Sequence, residues 1–256
     1  MSKDDGLAAY LAGGGKLSAP DNAPPRYRAE LMRLMAVFID SELAGAAGFA
    51  DSINLAPGVR ERITATRIVL EKLGHAELIL RLLEQFGADV AHYVSAHPWA
   101  ARRDRGTDLG TRRIDGDMRL NVFHYPIYGW VDAIVLNYLM GRASVVQIDE
   151  LAGCSYQPFA DAMTQILPIE RRHAELGEEG LRRVLAAGHD PTDAQASVNY
   201  WYPRVADTFG RASSDHWETS RRFGLRQTQN AELLARWQAD LAPALAELGL
   251  AVPQRP

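Results

Sequence analysis

Residues 169–173 read Ile169-Glu170-Arg171-Arg172-His173. Glu170 and His173 are three residues apart, so a helix places both side chains on one face. The surrounding stretch, residues 156–187, has the apolar spacing of a long helix. A carboxylate and an imidazole inside such a helix need partners, because burying an unpaired charge is unfavourable. The pair therefore raises the question of which other helices face it.

Helical periodicity continues along most of the chain. It predicts long helices over residues 26–47, 57–87, 126–152 and 156–187, and shorter helices near 193–209, 213–225 and 229–248. Alternating strand patterns are almost absent. The stretches Ile63–Leu83 and Ile127–Val146 look apolar nearly all round, which predicts helices buried on every side.

The segments between these helices differ in length. The first pair is joined by a short segment around Asp51–Pro57, whereas the long segment Ala88–Tyr125 separates the two pairs. Two helical hairpins joined by one long crossover have the ferritin-like connectivity. The sequence therefore predicts an all-α fold, a ferritin-like four-helix bundle with extra C-terminal helices. Glycines and prolines in residues 13–25 predict a flexible N-terminal arm over residues 1–25, ahead of a helical domain at 26–256.

Composition limits the function classes. The 256 residues are 47% hydrophobic and 23% charged, as in an ordinary globular protein. A net charge of −4 provides no strong basic field for nucleic acid, and no apolar run is long enough to predict a membrane span. Cys154 is the single cysteine, and Met1–Gly15 lacks the apolar segment of a secretory signal, so we expect a cytoplasmic protein.

Each of the four long helices carries a carboxylate or an imidazole among apolar residues. Glu42, His75 and Asp132 are the counterparts of the Glu170–His173 pair. In ferritin-like di-iron proteins, carboxylates and Glu-x-x-His pairs from four helices meet at one centre. Carboxylate oxygen and neutral imidazole suit iron or manganese. The same pattern is equally compatible with separate buried salt bridges, for instance between Glu170 and an arginine.

Several motifs, in order along the chain, carry a family resemblance. They are Pro25–Gly45, Gly74-His75-Ala76, Phe123-His124-Tyr125-Pro126 with Trp130-Val131-Asp132, Ser155–Ala160 with Ala162-Met163, Trp201-Tyr202-Pro203, Phe209-Gly210 and Ala246–Pro253. On these motifs, the chain from about residue 25 onward resembles the catalytic subunits of bacterial phenylacetyl-CoA epoxidases. The resemblance implies a di-iron centre that activates oxygen and epoxidises the aromatic ring of phenylacetyl-CoA. It also implies a structural partner subunit of the same fold and a separate reductase.

Carried over by position, the resemblance implies one set of metal ligands: Glu42, His75, Asp132, Glu170 and His173. The family's second helix has a further glutamate three residues before the histidine. This chain has Lys72 at that position, preceded by Glu71. A lysine ammonium offers only donors, so it is a poor ligand and a competing cation.

Lys72 and Glu71 are therefore the candidate catalytic residues on which the chemistry depends, and three outcomes are open. Lys72 turns away and Glu71 binds the metal, or the other ligands keep a single ion. In the third outcome Lys72 replaces the charge of the metal, which gives a metal-free pseudoenzyme.

The leading functional hypothesis is an oxygen-activating monooxygenase subunit with one or two iron ions, acting on an aromatic acyl-CoA. The alternative is a non-catalytic structural subunit or pseudoenzyme of the same family, and a third hypothesis is a metal-binding or storage protein. We expect a homodimer or association with a related ferritin-like subunit. The crossover arginines are expected either to be solvated or to contact an anion such as a CoA phosphate: Arg102, Arg103, Arg105, Arg112 and Arg113.

Other polar and aromatic residues are assigned structural roles. Four histidines outside the core helices are expected at the surface or in caps: His92, His97, His189 and His216. Trp201 and Trp217 are expected to pack the C-terminal helices, and Cys154 to be a structural thiol. No glycine-rich nucleotide motif is present, so we expect no flavin or nicotinamide site.

Overall fold

The computed structural model describes residues 3–96, 98–111, 113, 117–188, 190–212 and 215–253. These residues form helices and no strand, which confirms the predicted all-α class. The helices are α1 (Lys3–Ala12), α2 (Pro25–Ser52), α3 (Val59–Gln85), α4 (Val90–Ser95), α5 (Gly129–Ala152), α6 (Gln157–Ala186), α7 (Pro191–Ala206), α8 (Asp215–Arg222) and α9 (Asn230–Glu247). Among the described residues, no helix has the length and apolar character that crossing a membrane requires.

The four long helices form two hairpins. Helix α2 packs along α3, and α5 packs along α6, while contacts of α3 with α6 and of α2 with α5 close the bundle. The long crossover between the hairpins contains α4 and a single helical turn at Asn121–His124. This is the predicted ferritin-like connectivity. Helices α7 and α9 pack on the outer side of α5 as the extra C-terminal helices.

Two helices begin later than predicted because a residue with extended backbone precedes each of them. Helix α3 begins at Val59, after an extended Gly58, and not at residue 57. Helix α5 begins at Gly129, after an extended Tyr128, and not at residue 126. A residue with extended backbone cannot lie inside a helix, so each helix starts just after it; a proline alone does not delay a helix, since α2 and α7 begin at Pro25 and Pro191.

In the predicted N-terminal arm, residues 1–25, the part that the structure describes contains a helix and contacts the bundle. Residues Lys3–Ala12 form α1, and Leu11 and Leu17 are buried in the core. The Leu17 amide donates to the Ser155 carbonyl at 2.9 Å, and the Gln157 amide donates to the Leu17 carbonyl at 2.7 Å. The apolar Leu11 and Leu17 dock this segment on the start of α6, because leaving them in water would forgo the free energy of their burial.

The prediction that α3 is buried on every side is wrong. One face of α3 packs into the bundle through Ala65, Ile68 and Ile79, but Ile63 and Leu70 on the opposite face are exposed. An edge helix of a bundle buries only one stripe. The apolar residues on the outer face of α3 therefore do not contribute to the core of this chain.

Helices α5 and α6 approach each other closely because glycines lie between them. A Cβ atom added at Gly177 would lie 2.8 Å from the Cα of Tyr138, and one added at Gly141 would lie 3.0 Å from the Cα of Ala174. These distances leave no room for a side chain. The spacing sets how near the polar residues of α6 lie to the inner face of α5.

We expect Gly177→Ala to lower the free energy of unfolding by about 1–3 kcal/mol, because the new methyl group meets the backbone of α5. The loss should appear even though alanine favours helix by about 1 kcal/mol. Gly6→Ala is the matched control, since nothing lies within 4 Å of its added Cβ atom. Urea unfolding of both variants measures the difference, and equal stability of the two would contradict the close packing.

Candidate functional site

The buried polar residues of α2, α3 and α6 meet in one cluster inside the bundle. Glu42 comes from α2, Lys72 and His75 from α3, and Glu170 and His173 from α6. Lys72 and His75 share one face of α3 because they are three residues apart. Glu42, His75, Glu170 and His173 are buried, and the Lys72 side chain is 13% exposed.

The Lys72 ammonium lies between two carboxylates from different helices. Its Nζ donates to Glu42 Oε1 at 3.2 Å and to Glu170 Oε1 at 3.0 Å. Both hydrogen bonds join an ammonium group to a carboxylate and are therefore charge-assisted. Lys72 therefore points into the bundle, so the first of the three outcomes, in which it turns away, is not the arrangement in this structure.

The two histidines extend the cluster on either side of Glu170. His75 Nδ1 lies 3.3 Å from Glu42 Oε2 and 3.2 Å from Glu170 Oε1. His173 Nδ1 lies 3.1 Å from Glu170 Oε1, and its Nε2 lies 2.6 Å from Glu71 Oε2. The Glu71 side chain is 34% exposed. Glu71 therefore pairs with His173 at the rim of the cluster.

The charged groups of the cluster shift one another's pKa values. Burial lowers the pKa of Lys72, but Glu170 and Glu42 raise it by more, so the pKa lies above its ordinary value. Burial also lowers the pKa of His75, and hydrogen bonds with Glu170 and Glu42 outweigh this and raise it to about 9. Burial raises the pKa of Glu170, but Lys72 and the hydrogen bond with His173 hold it well below its usual range. At neutral pH the Lys72 ammonium and the His75 imidazolium thus face the ionised Glu170.

Asp132 does not join this cluster, so the predicted convergence of all five residues is wrong for it. Its Oδ1 accepts from Ser197 Oγ at 3.0 Å and from Trp201 Nε1 at 2.8 Å. Its Oδ2 accepts from the Tyr128 amide at 2.8 Å and from the Arg105 guanidinium. The carboxylate ties the crossover and α7 to the first turn of α5.

Helical geometry explains why Asp132 lies apart. The residues of α5 that line the small cavity beside Lys72 and Glu170 include Asn137, Met140 and Gly141. Gly141 follows Asp132 by nine residues, which is about 13 Å along the axis and on the opposite side of the helix. In the described residues, α5 therefore presents no carboxylate to the cluster.

A ferritin-like fold implies a metal centre, and the donor set tests whether the residues fit one. Glu42, His75 and Glu170 each offer a ligand atom within 4.8 Å of the others, so one ion could share them. Glu170 Oε2 and His75 Nε2 have no hydrogen-bond partner among the described residues. Against this, the Lys72 ammonium lies where an ion would sit between Glu42 and Glu170.

The residues do not fit a two-iron centre. That centre needs carboxylates from all four helices, whereas α5 presents none to the cluster and Lys72 replaces the further glutamate of α3. A single ion would have to displace the Lys72 ammonium from Glu42 and Glu170 first.

A large cavity of about 690 Å³ adjoins the cluster and has Glu42 in its wall. Its other walls are mostly apolar and aromatic, including Phe123, Met140 and Trp217. Arg113 and Arg226 also line it. Burial and the nearby Arg33 lower the pKa of both guanidinium groups. This combination of an apolar interior and a basic wall suits a ligand with an apolar part and an anionic part.

Two of the crossover arginines contact other parts of the fold, and a third, Arg113, donates to the Arg119 carbonyl. Arg102 donates to the Ala44 carbonyl at 3.1 Å. Arg105 pairs with Asp132 and stacks against Tyr128 and Tyr200, with ring-centroid distances of 4.3 and 4.2 Å. Neither the solvated loop nor the anion contact predicted for the crossover describes these two. Arg112 lies outside the described residues.

Most of the residues that were predicted to have structural roles have such roles in the structure. His216 pairs with Glu30 at 3.1 Å and has a side chain that is 63% exposed, while Trp201 is fully buried. Cys154 is buried, and burial raises the pKa of its thiol to about 11, as expected of a structural thiol. His97 and His189 lie outside the described residues.

Two comparisons with known proteins agree with the motif resemblance. A family model described as phenylacetic acid catabolic protein matches residues 3–256. The chain is also similar to one of the subunits of the 1,2-phenylacetyl-CoA epoxidase of Escherichia coli (strain K12), with 26% identity over 259 residues that cover 99% of this chain and 78% of the relative. Because the family model spans nearly the whole chain, this protein belongs to the phenylacetic acid catabolic protein family.

Proposed function

We propose that this chain is a non-catalytic subunit of an aromatic acyl-CoA oxygenase, in which Lys72 replaces the charge of a metal ion. The observation that supports this most is the position of Lys72 Nζ, which lies 3.2 Å from Glu42 and 3.0 Å from Glu170. The similarity to an epoxidase component supports the class of enzyme. An active subunit of related fold is then the partner, and a reductase serves that partner.

The charge balance of the cluster supports a metal-free role. Glu42 and Glu170 bring two negative charges into the bundle, and Lys72 with protonated His75 brings two positive charges. Buried charges persist only when they are paired and hydrogen-bonded. Lys72 and His75 supply this pairing to Glu42 and Glu170 from within the chain, although Glu170 Oε2 and His75 Nε2 have no hydrogen-bond partner among the described residues.

The second candidate function is the oxygen-activating subunit with a single iron ion held by Glu42, His75 and Glu170. When bound, such an ion would supply the activation of dioxygen. The cavity beside Glu42 favours this candidate, because its apolar walls suit an aromatic acyl group and its arginines suit the phosphates of an acyl-CoA. This candidate function requires that the iron ion displace the Lys72 ammonium from both Glu42 and Glu170.

Metal analysis separates the two candidates. We expect the wild-type protein, produced with added iron, to hold well under one iron atom per chain. Lys72→Glu should raise the iron content, because it removes the competing cation and adds a carboxylate to the cluster. Lys72→Met is the control that removes the cation without adding a ligand. About one iron atom or more per wild-type chain, or no more iron in Lys72→Glu than in wild type, would contradict the proposal.

Removing the ammonium should also destabilise the metal-free fold. Lys72→Met removes one of the two cations that Glu42 and Glu170 share and leaves only His75 between them, so we expect the free energy of unfolding to fall by about 3–5 kcal/mol. Arg172→Met is the control, since its ion pairs with Glu175 and Glu179 are exposed and are worth less than about 1 kcal/mol. Urea unfolding in the presence of a chelator measures both, and equal losses would rule out a neutralising role for Lys72.

The second candidate makes its own prediction for the cavity. Phenylacetyl-CoA should bind, and Arg113→Gln should weaken the binding about tenfold, because a charge-assisted contact to phosphate is lost. Arg172→Gln, on the exposed face of α6, should bind as the wild-type protein does. Calorimetric titration gives the dissociation constants. A wild-type protein without affinity for phenylacetyl-CoA would exclude a substrate-binding role and leave the structural one.

A further inference from the structure

Helix α3 has an apolar stripe on its outer face that the core of this chain does not use. Val59 is 73% exposed, Ile63 56%, Leu70 68% and Leu73 44%. Their spacing of four, seven and three residues places all four on one side of the helix. Large apolar side chains gathered on one exposed face, and not scattered singly, are a feature of surfaces that associate.

The stripe has a notch beside its largest exposed residues. Gly74 lies one turn after Leu70, and a Cβ atom added there would meet nothing within 4 Å. Glycine is less favourable than alanine inside a helix, so its presence here is not explained by the helix itself. A glycine on an exposed face leaves space in which an apolar side chain of another molecule could sit.

Charges flank the stripe with opposite signs at its two ends. The first half of α3 exposes Arg60 and Arg67, and the second half exposes Glu77 and Glu84. Arg81 lies among the acidic residues but pairs with Glu77 at 2.7 Å. The outer face of α3 is therefore basic near its start and acidic near its end.

We propose that this face of α3 binds the same face of a second copy of this chain, with the two helices antiparallel about a two-fold axis near residue 72. In that register Leu70 faces Gly74 of the partner subunit. Arg60 faces Glu84 of the partner subunit, and Arg67 faces Glu77 of the partner subunit. Each contact occurs twice, as in any isologous interface.

The charge pattern selects the antiparallel arrangement. A parallel pair would set Arg60 beside Arg60 of the partner subunit, and like charges that face each other disfavour association. Within one chain, Arg60 and Glu84 are about 36 Å apart along the helix, so they cannot pair with each other. An antiparallel second copy therefore offers each end of the face an opposite charge.

This inference goes beyond the proposed function and can fail without it. The outer face carries Leu70 and Gly74, whereas His75 lies on the inner face of the same helix. Oligomeric state reports on the outer face, and iron content reports on the inner cluster. The two sets of results are therefore separable.

Sedimentation equilibrium of the full chain tests the stripe. We expect a wild-type dimer at micromolar concentration, and a rise of about tenfold or more in the dimer dissociation constant for Leu70→Glu, because a charge enters the centre of the interface. Val94→Glu is the control, since Val94 is 41% exposed but lies on α4. A monomeric wild type, or equal dissociation constants for the two variants, would overturn the proposal.

Charge reversal tests the register without touching the apolar residues. Arg60→Glu and Glu84→Arg should each raise the dissociation constant by about tenfold, because each variant sets like charges against each other at both ends of the interface. An equimolar mixture of the two variants should regain a dimer, since the mixed pair has opposite charges at both ends. A mixture that stays as dissociated as its components would overturn the antiparallel register.

Discussion

The ammonium of Lys72 lies between carboxylates of α2 and α6, and the interior of the bundle depends on that contact. Glu42 and Glu170 are both buried. Two buried carboxylates that lie close together are stable only when cations pair with them, and Lys72 is such a cation. His75 adds a second positive charge on the same face of α3. The charges of these four groups balance and the groups join three helices, so the bundle holds with its own side chains what a metal ion holds in related centres.

Helix α5 contributes to this centre by packing closely against α6. Gly141, together with Gly177 of α6, lets the two backbones approach, which brings Glu170 toward the middle of the bundle. The buried carboxylate of α5, Asp132, lies near the start of the helix, where it accepts hydrogen bonds from Arg105, Ser197 and Trp201. Asp132 thus links the crossover and α7 to the bundle. The buried carboxylates of the cluster, Glu42 and Glu170, come from α2 and α6.

The order of helices and the bundle could be predicted from the sequence, because the apolar period and the one long crossover are local signals. Glu42, His75, Glu170 and His173 were correctly grouped, since buried ionisable groups must meet. Asp132 was misplaced because the motif match ignored which side of α5 it occupies. The direction of Lys72 and the exposure of Ile63 and Leu70 depend on how α3 packs on its neighbours, and a single sequence does not contain that rotation.

X-ray diffraction at the iron absorption edge is the most direct test of whether Lys72 holds the place of a metal ion. Crystals of the full chain grown with ferrous iron should give no anomalous peak between Glu42 and Glu170. Electron density for Lys72 Nζ should lie within hydrogen-bond distance of both carboxylates. An anomalous peak between these carboxylates, with the Lys72 side chain turned away, would contradict the neutral metal-free cluster.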